Sequence, residues 1–277
     1  MPRPSSAIRL RPFLLVVILV AVVLYYSYPM ALRLQNGGHF LAARPLYLIS
    51  AVAGNLKAQH NLAAMHLEGE GGPINPEAAA YWYTRAAEQG SIISATTLGE
   101  MYLKGYGVDA DPVKASTLLE QAARQGDPAA VVMLGEMYSE GVEGMPKNGE
   151  KAKHWYQVGA ERDMPAAQYG LASLHASGEL IPKNLNQAEF WYLKAARRGH
   201  AKAQLALGML YISQPGGAGA RGAQVWLTEA SQQDETAVAA RKHLASLCRA
   251  NPALNCTLSS AGPSLGALLP PAARRRL

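Results

Sequence analysis

Seven histidines and two cysteines are the side chains of this 277-residue sequence best suited to chemistry. A histidine acting as general base needs an oriented partner carboxylate or nucleophile, and a zinc site needs ligands at characteristic spacings. Neither pattern is found. The sequence holds no HExxH, no GxSxG and no dinucleotide fingerprint, and the GEGGP stretch at Gly69 lacks the Lys-Ser/Thr that a phosphate loop requires. His39, His154, His200 and His243 stand isolated, while His60 is a candidate for ligand contact. Cys248 and Cys256, in CRANPALNC, have no nearby His pair, which argues against zinc. In an oxidising compartment they would close a short loop as a disulfide, with Asn251-Pro252 supplying the turn; the other reading is two unpaired thiols in a frayed end. No catalytic residue, metal or cofactor is expected.

The net charge of +6 invites a nucleic-acid reading, but its distribution opposes one. Arg3, Arg9 and Arg11 precede an apolar segment, and Arg274, Arg275 and Arg276 lie at the other end. Without these, basic and acidic residues balance at 20 each. A nucleic-acid footprint would place the charge on a folded face.

The apolar segment FLLVVILVAVVLYY begins at Phe13 and, extended through SYPMAL to Leu32, reaches 20 residues, enough to cross a bilayer as a helix. Tyr25, Tyr26 and Tyr28 cluster at its far end, where an aromatic belt would meet the interface. The arginine bias places residues 1–12 in the cytoplasm, the anchor at 13–32, and everything after it on the opposite side of an inner membrane, in the periplasm. A cleaved signal peptide is the rival reading, but YSYPMALRL holds no clear A-x-A site.

The positions that would display chemistry depend on an internal repeat. RAAEQG ends at Gly90, QAARQG at Gly126, VGAERD at Asp163 and KAARRG at Gly199, with steps of 36, 37 and 36 residues. A weaker ending, SAVAG, stops at Gly54. Glycine there suits the residue after a helix C-cap. After each ending, Ala58, Ser94, Ala130, Ala167 and Ala203 share one position. Leu62, Leu98, Leu134, Leu171 and Leu207 follow four residues on. Met65, Met101, Met137, Leu174 and Leu210 come three later, then His66, Tyr102, Tyr138, His175 and Tyr211. These offsets draw one apolar stripe along a helix. His66 and His175 thus read as interface residues with a polar tip rather than metal ligands. The residue after each Leu is only Ala or Gly (Ala63, Gly99, Gly135, Ala172, Gly208), which predicts a neighbouring helix crossing closely there. A loop containing Gly69 and Gly71, Gly105 and Gly107, or Gly141 and Gly144 leads to a second helix. It carries Ala79, Ala115, Ala152 and Ala188, then Trp82, Leu118, Trp155 and Trp191 three residues later, with Trp226 in the fifth copy.

The pattern A-x-x-x-L-G-x-x-Y-x-x-G, a short loop, then K-A-x-x-W-x-x-x-A-A-x-x-G resembles the Sel-one-like repeat (SLR), a relative of the tetratricopeptide repeat. The resemblance covers residues 57–233 and implies an all-α fold: a right-handed α-solenoid of about five helix–turn–helix units with capping helices, preceded by one transmembrane helix. Residues 39–54 read as an N-terminal cap, the second helix of an incomplete unit. Residues 234–257 read as a closing helix with the cysteine pair, and 258–277 as a disordered tail. Leu118 in place of an aromatic and the short QPGGAGARG loop depart from the pattern.

By resemblance, the first helix of each unit lines the concave face where a protein or peptide partner binds. Positions two and six residues after the repeating Ala point away from the apolar stripe. They hold His60, Thr96, Val132, Tyr169 and Leu205, and then Ala64, Glu100, Glu136, Ser173 and Met209. Unlike the packing positions, they differ from unit to unit, which fits a surface tailored to a ligand and equally fits ordinary surface tolerance; acids at one end with apolar residues at the other suggest an amphipathic peptide. The resemblance implies an adaptor role in complex assembly or envelope processes. A cell-wall-related ligand-binding protein or hydrolase, or an adaptor facing the cytoplasm, is the alternative.

Overall fold

The computed structural model describes residues 12–214 and 219–254. They form thirteen α-helices and, apart from one isolated β-bridge, no extended pairing. The basic residues of 1–11, part of the QPGGAGARG loop, Cys256 and the residues expected to form a tail lie outside the described residues. The chain divides into two compact bodies, Met1–Asp127 and Pro128–Leu277.

The first body holds α1 (Pro12–Asn36), α2 (Phe40–Val52), α3 (Leu56–Glu68), α4 (Pro76–Glu88), α5 (Ile92–Lys104) and α6 (Pro112–Arg124). The second holds α7 (Pro128–Glu140), α8 (Gly149–Glu161), α9 (Pro165–Ser177), α10 (Leu185–Arg197), α11 (Ala201–Ile212), α12 (Ala220–Ala230) and α13 (Ala237–Ala250). In both, successive helices pack as pairs: α3 with α4, α5 with α6, α7 with α8, α9 with α10 and α11 with α12. Helix α13 closes the second body against α12 and α11.

Helix boundaries follow from caps that recur with the repeat. Asn75, Asp111, Asn148 and Asn184 each accept a hydrogen bond from the backbone N–H three residues on, at 2.9–3.0 Å. Each of these cap residues also donates its own N–H to the carbonyl of His66, Tyr102, Tyr138 or His175, closing the loop back onto the first helix at 2.7–3.0 Å. At the ends of the second helices, Gly54, Gly90, Gly126 and Gly199 have φ between 81° and 98°. Asp163, which replaces glycine in the third copy, still takes φ 59°. The longer step of 37 residues also has a local cause. The loop 141–148 carries one residue more than 105–111 or 178–184, and a tight Val142–Met145 bridge absorbs it.

The apolar stripe is the core: Ala58, Leu62, Met65, Leu98, Met101, Ala130, Leu134, Met137, Ala167, Leu171, Ala203 and Leu207 are all buried. Three of the Trp side chains, Trp82, Trp155 and Trp226, are buried too, whereas Trp191 is half-buried. The expected close crossing is present. A Cβ on Gly99 would lie 2.9 Å from Leu119 Cγ, and one on Gly208 2.7 Å from Leu227 Cγ. The tightest case is Tyr156 of α8, whose ring lies between α7 and α9. A Cβ on Gly135 or on Gly170 would each come within 2.4 Å of its Cε1.

The N-terminal cap differs from the sequence-based expectation. Residues 39–54 are not half of an incomplete unit, because the end of α1 supplies the missing helix. Ser27 and Ala31 of α1 are buried against Ala43, Tyr47 and Ala51 of α2, and Tyr47 Oη donates to Gln35 Oε1 at 2.6 Å. The apolar helix therefore continues past Leu32 into the repeat fold. A further recurring contact escaped the sequence pattern. Gln59, Gln168 and Gln204, each following the repeating Ala, donate from Nε2 to the carbonyls of Ala51, Ala160 and Ala196 at 3.1–3.3 Å. These carbonyls belong to the last turn of the preceding helix, where each also accepts the N–H of Gly54, Asp163 or Gly199.

Substituting Gly135→Ala should lower stability by about 1–3 kcal/mol, because the overpacking against Tyr156 outweighs the helix-propensity gain of about 1 kcal/mol. In a Tyr156→Leu background the same change should cost clearly less. Denaturant midpoints of the four chains form the double-mutant cycle, and equal costs in both backgrounds would refute the clash.

Candidate protein-interaction face

The residues expected to meet a partner are carried on the first helix of each pair, held there by the buried stripe on the same helices. They do not behave alike. In the first body, His60 is half-buried, 5.6 Å from the Tyr83 ring, and its Nδ1 lies 3.0 Å from Ser94 Oγ. Burial lowers its pKa. A Ser–His contact at this distance resembles a nucleophile–base pair. Ser94, however, is fully buried and its Oγ also accepts from Ser91 Oγ at 2.8 Å, so the hydroxyl has no access to a substrate.

Thr96 corrects the sequence-based reading. It is 8 % exposed, and its hydroxyl is hydrogen-bonded to Asp127 and to the Ile92 carbonyl, so it presents little to a partner. Its angle on α5 points it away from the apolar stripe, but Asp127, beyond the end of α6, covers it. Glu100 stays accessible but is paired with Lys104 on its own helix at 2.5 Å. Both partners are exposed, and such a pair contributes little to stability.

In the second body the residues gather. Tyr169 of α9 stacks on His200 at 5.0 Å between ring centroids and 26° between planes, and lies 5.8 Å from Tyr192. Ser173 Oγ and Tyr192 Oη are 3.0 Å apart. Glu136 of α7 is exposed, yet partial desolvation, with the nearby Glu140 carboxylate, raises its pKa, opposed by the positive charge of Lys202. Lys202 pairs with Glu235 at 3.0 Å and is within electrostatic reach of Tyr169. Burial lowers the pKa of His200 and raises that of Tyr156 to about 12, keeping both neutral at pH 7. The result is a cluster of aromatic rings, Tyr156 and Tyr192 buried and Tyr169 and His200 half-buried, with Glu136, Glu140 and the Lys202–Glu235 pair around it. Val132 is half-buried beside it on α7. Leu205 packs against the core of the last repeats, and Met209 is 44 % exposed on α11.

The structure brings Glu136, Tyr169 and Ser173 near His200, Lys202, Tyr192 and Glu235, which the repeat positions do not single out. His200 sits at the N-cap of α11, where its Nδ1 accepts from the Ala203 N–H at 3.2 Å. No spacing within one repeat marks it as a neighbour of Tyr169. Among the described residues, no group of three His, Cys, Asp or Glu side chains is placed to hold a metal ion. Cys248 lies half-buried on α13, and its expected partner Cys256 lies outside the described residues.

Comparison with known proteins places this geometry. The Sel1 repeat family model matches residues 56–91, 94–127, 128–164 and 165–200, together just over half of the chain. The α11–α12 pair lies beyond these matches and corresponds to the fifth copy read from the repeat positions. A Sel1 repeat protein from Oxalobacter formigenes is similar at 27 % identity and TM-score 0.68, over 84 % of this chain and 94 % of that one. Also similar is c5321, a protective antigen of uropathogenic Escherichia coli strains with an SLR fold, at 26 % identity and TM-score 0.58. That match covers 82 % of this chain and 57 % of the antigen. No curated protein is significantly similar in sequence. Sel1 repeats generally mediate protein–protein interaction. The four matched repeats, their helix pairs and their close glycine crossings show that the chain belongs to the Sel1 repeat family.

Proposed function

We propose that this protein is a non-enzymatic scaffold of the bacterial cell envelope, held in the inner membrane by α1 and binding a protein or peptide partner with its repeats on the periplasmic side. The observation that carries the binding role is the half-buried stack of Tyr169 on His200 near the exposed Glu136, built on helices whose opposite stripe is committed to the core. Rigid aromatic rings with an adjoining acid fit a segment that alternates apolar and basic residues. Val132, Ser173 and Met209 extend the same row, and His60 and Glu100 are the accessible counterparts in the first body.

The anchor reading rests on α1. Val16–Asn36 is 21 residues long, has a mean hydropathy of 1.8 and is only 11 % buried. Cleavage of a leader after Leu32 would also remove Ser27 and Ala31, which the first repeat buries. This favours an uncleaved anchor over a signal peptide. The arginines before the apolar run support a cytoplasmic N-terminus.

Two measurements test these readings. Crosslinking in intact cells, followed by mass spectrometry, should recover a partner whose yield falls several-fold with Glu136→Lys or Tyr169→Ala and is unchanged with Lys242→Glu on α13. Equal recovery with all three variants would refute the assigned face. An alkaline-phosphatase fusion after Leu277 should be active, and the intact mass of the membrane-extracted chain should retain α1. An inactive phosphatase, or a chain that starts beyond Leu32, would overturn the topology.

A further inference from the structure

Helix α2 carries an apolar face that no other helix of its class shares. Leu41 is 80 % exposed and Val52 72 %, with Leu48, Ile49 and Pro45 also exposed between them. Its single charged side chain, Arg44, is turned inward, with Nη2 2.6 Å from His66 Nδ1. The repeat supplies an internal control. The position of Val52 is held by Glu88, Arg124, Glu161 and Arg197 in α4, α6, α8 and α10, and that of Ile49 by Arg85, Gln121, Val158 and Lys194. The later second helices expose at most two large apolar side chains each (Tyr81 on α4, Val113 on α6, Leu185 and Phe190 on α10), whereas α2 exposes four, Leu41, Leu48, Ile49 and Val52, with no charge among them.

Position says what covers it. Helix α2 follows α1 through Gly37 and Gly38 and runs back along it. Tyr47 bonds to Gln35 and lies 6.0 Å, ring to ring, from Tyr28. Val52, five residues further on, extends about 7 Å beyond Tyr47 toward the apolar part of α1. The length of α1 requires the same arrangement. Between the start of the apolar run at Phe13 and the first buried contact at Ser27, α1 offers only about 21 Å of helix, against about 30 Å of hydrocarbon. A complete span must use residues up to about Leu32, and the last turns of α2 lie beside that stretch.

We infer that the outer face of α2, from Leu41 to Val52, rests in the lipid of the membrane that α1 crosses, so that the first repeat is partly embedded in the interface rather than tethered above it. This rests on the membrane-anchor reading of α1. Lys57, exposed at the start of α3, is a basic side chain within reach of the headgroups.

The full-length chain, reconstituted in phosphatidylcholine–phosphatidylglycerol vesicles with a diazirine-bearing acyl lipid, provides the test once adducts are mapped by mass spectrometry. Adducts should appear on residues 16–26 of α1 and on residues 41–53, the latter several-fold above the matching face of α4. Val52→Glu, at an exposed site, should lower the α2 labelling and leave that of α1 unchanged. Labelling of α1 with α2 no higher than α4 would overturn the embedded face while sparing the anchor. Absence of label on both would overturn the anchor and the inference together.

Discussion

The approach of small to large residues at each helix crossing is the constraint on which the other features depend. Each first helix presents Ala or Gly one residue after its core Leu, and the paired helix fills that space with Tyr156, Leu119 or Leu227. Protein interiors are close-packed, so a gap of this kind is filled by one side-chain shape at one distance. Tyr156 illustrates the economy of the arrangement, since one ring is accommodated by two missing Cβ atoms, on Gly135 and Gly170, and so fixes three helices at once. With one stripe of each first helix committed in this way, the remaining positions are free to differ from repeat to repeat.

Stacking helix pairs creates a second problem, because the carbonyls at the end of each second helix are covered by the next repeat. A buried acceptor left without a donor costs about 1–3 kcal/mol. The carbonyls of Ala51, Ala160 and Ala196 accept from the N–H of Gly54, Asp163 and Gly199 and, as a second donor, from the side chains of Gln59, Gln168 and Gln204, which tie each repeat to the one before it. The loops are handled by one repeat position, Asn or Asp, with two roles. Asn75, Asp111, Asn148 and Asn184 cap the helix that follows with their side chains and close onto the helix that precedes with their backbone.

The same packing logic extends to the N-terminal helix. Its end enters the core through Ser27 and Ala31, in the way that the first helices do elsewhere, while residues 16–26 remain uncovered. A helix that serves both as an apolar segment and as half of the first repeat leaves no flexible linker between them. The orientation of the first repeat then follows that of α1.

Much of this was legible in the amino-acid order. The period, the buried stripe, the small residues at the crossings and the glycines that end the second helices all arise from local geometry at fixed spacing. A repeated sequence states such rules five times over. The tertiary structure decided what depends on how one repeat sits on the next. It buried Thr96 under Asp127, brought Ser94 to His60, placed His200 on Tyr169, set Lys202 near Glu136 and made α1 the partner of α2. A helical periodicity assigns each side chain an angle on its own axis, and these contacts are formed between axes, where packing distance and crossing angle decide which atoms meet.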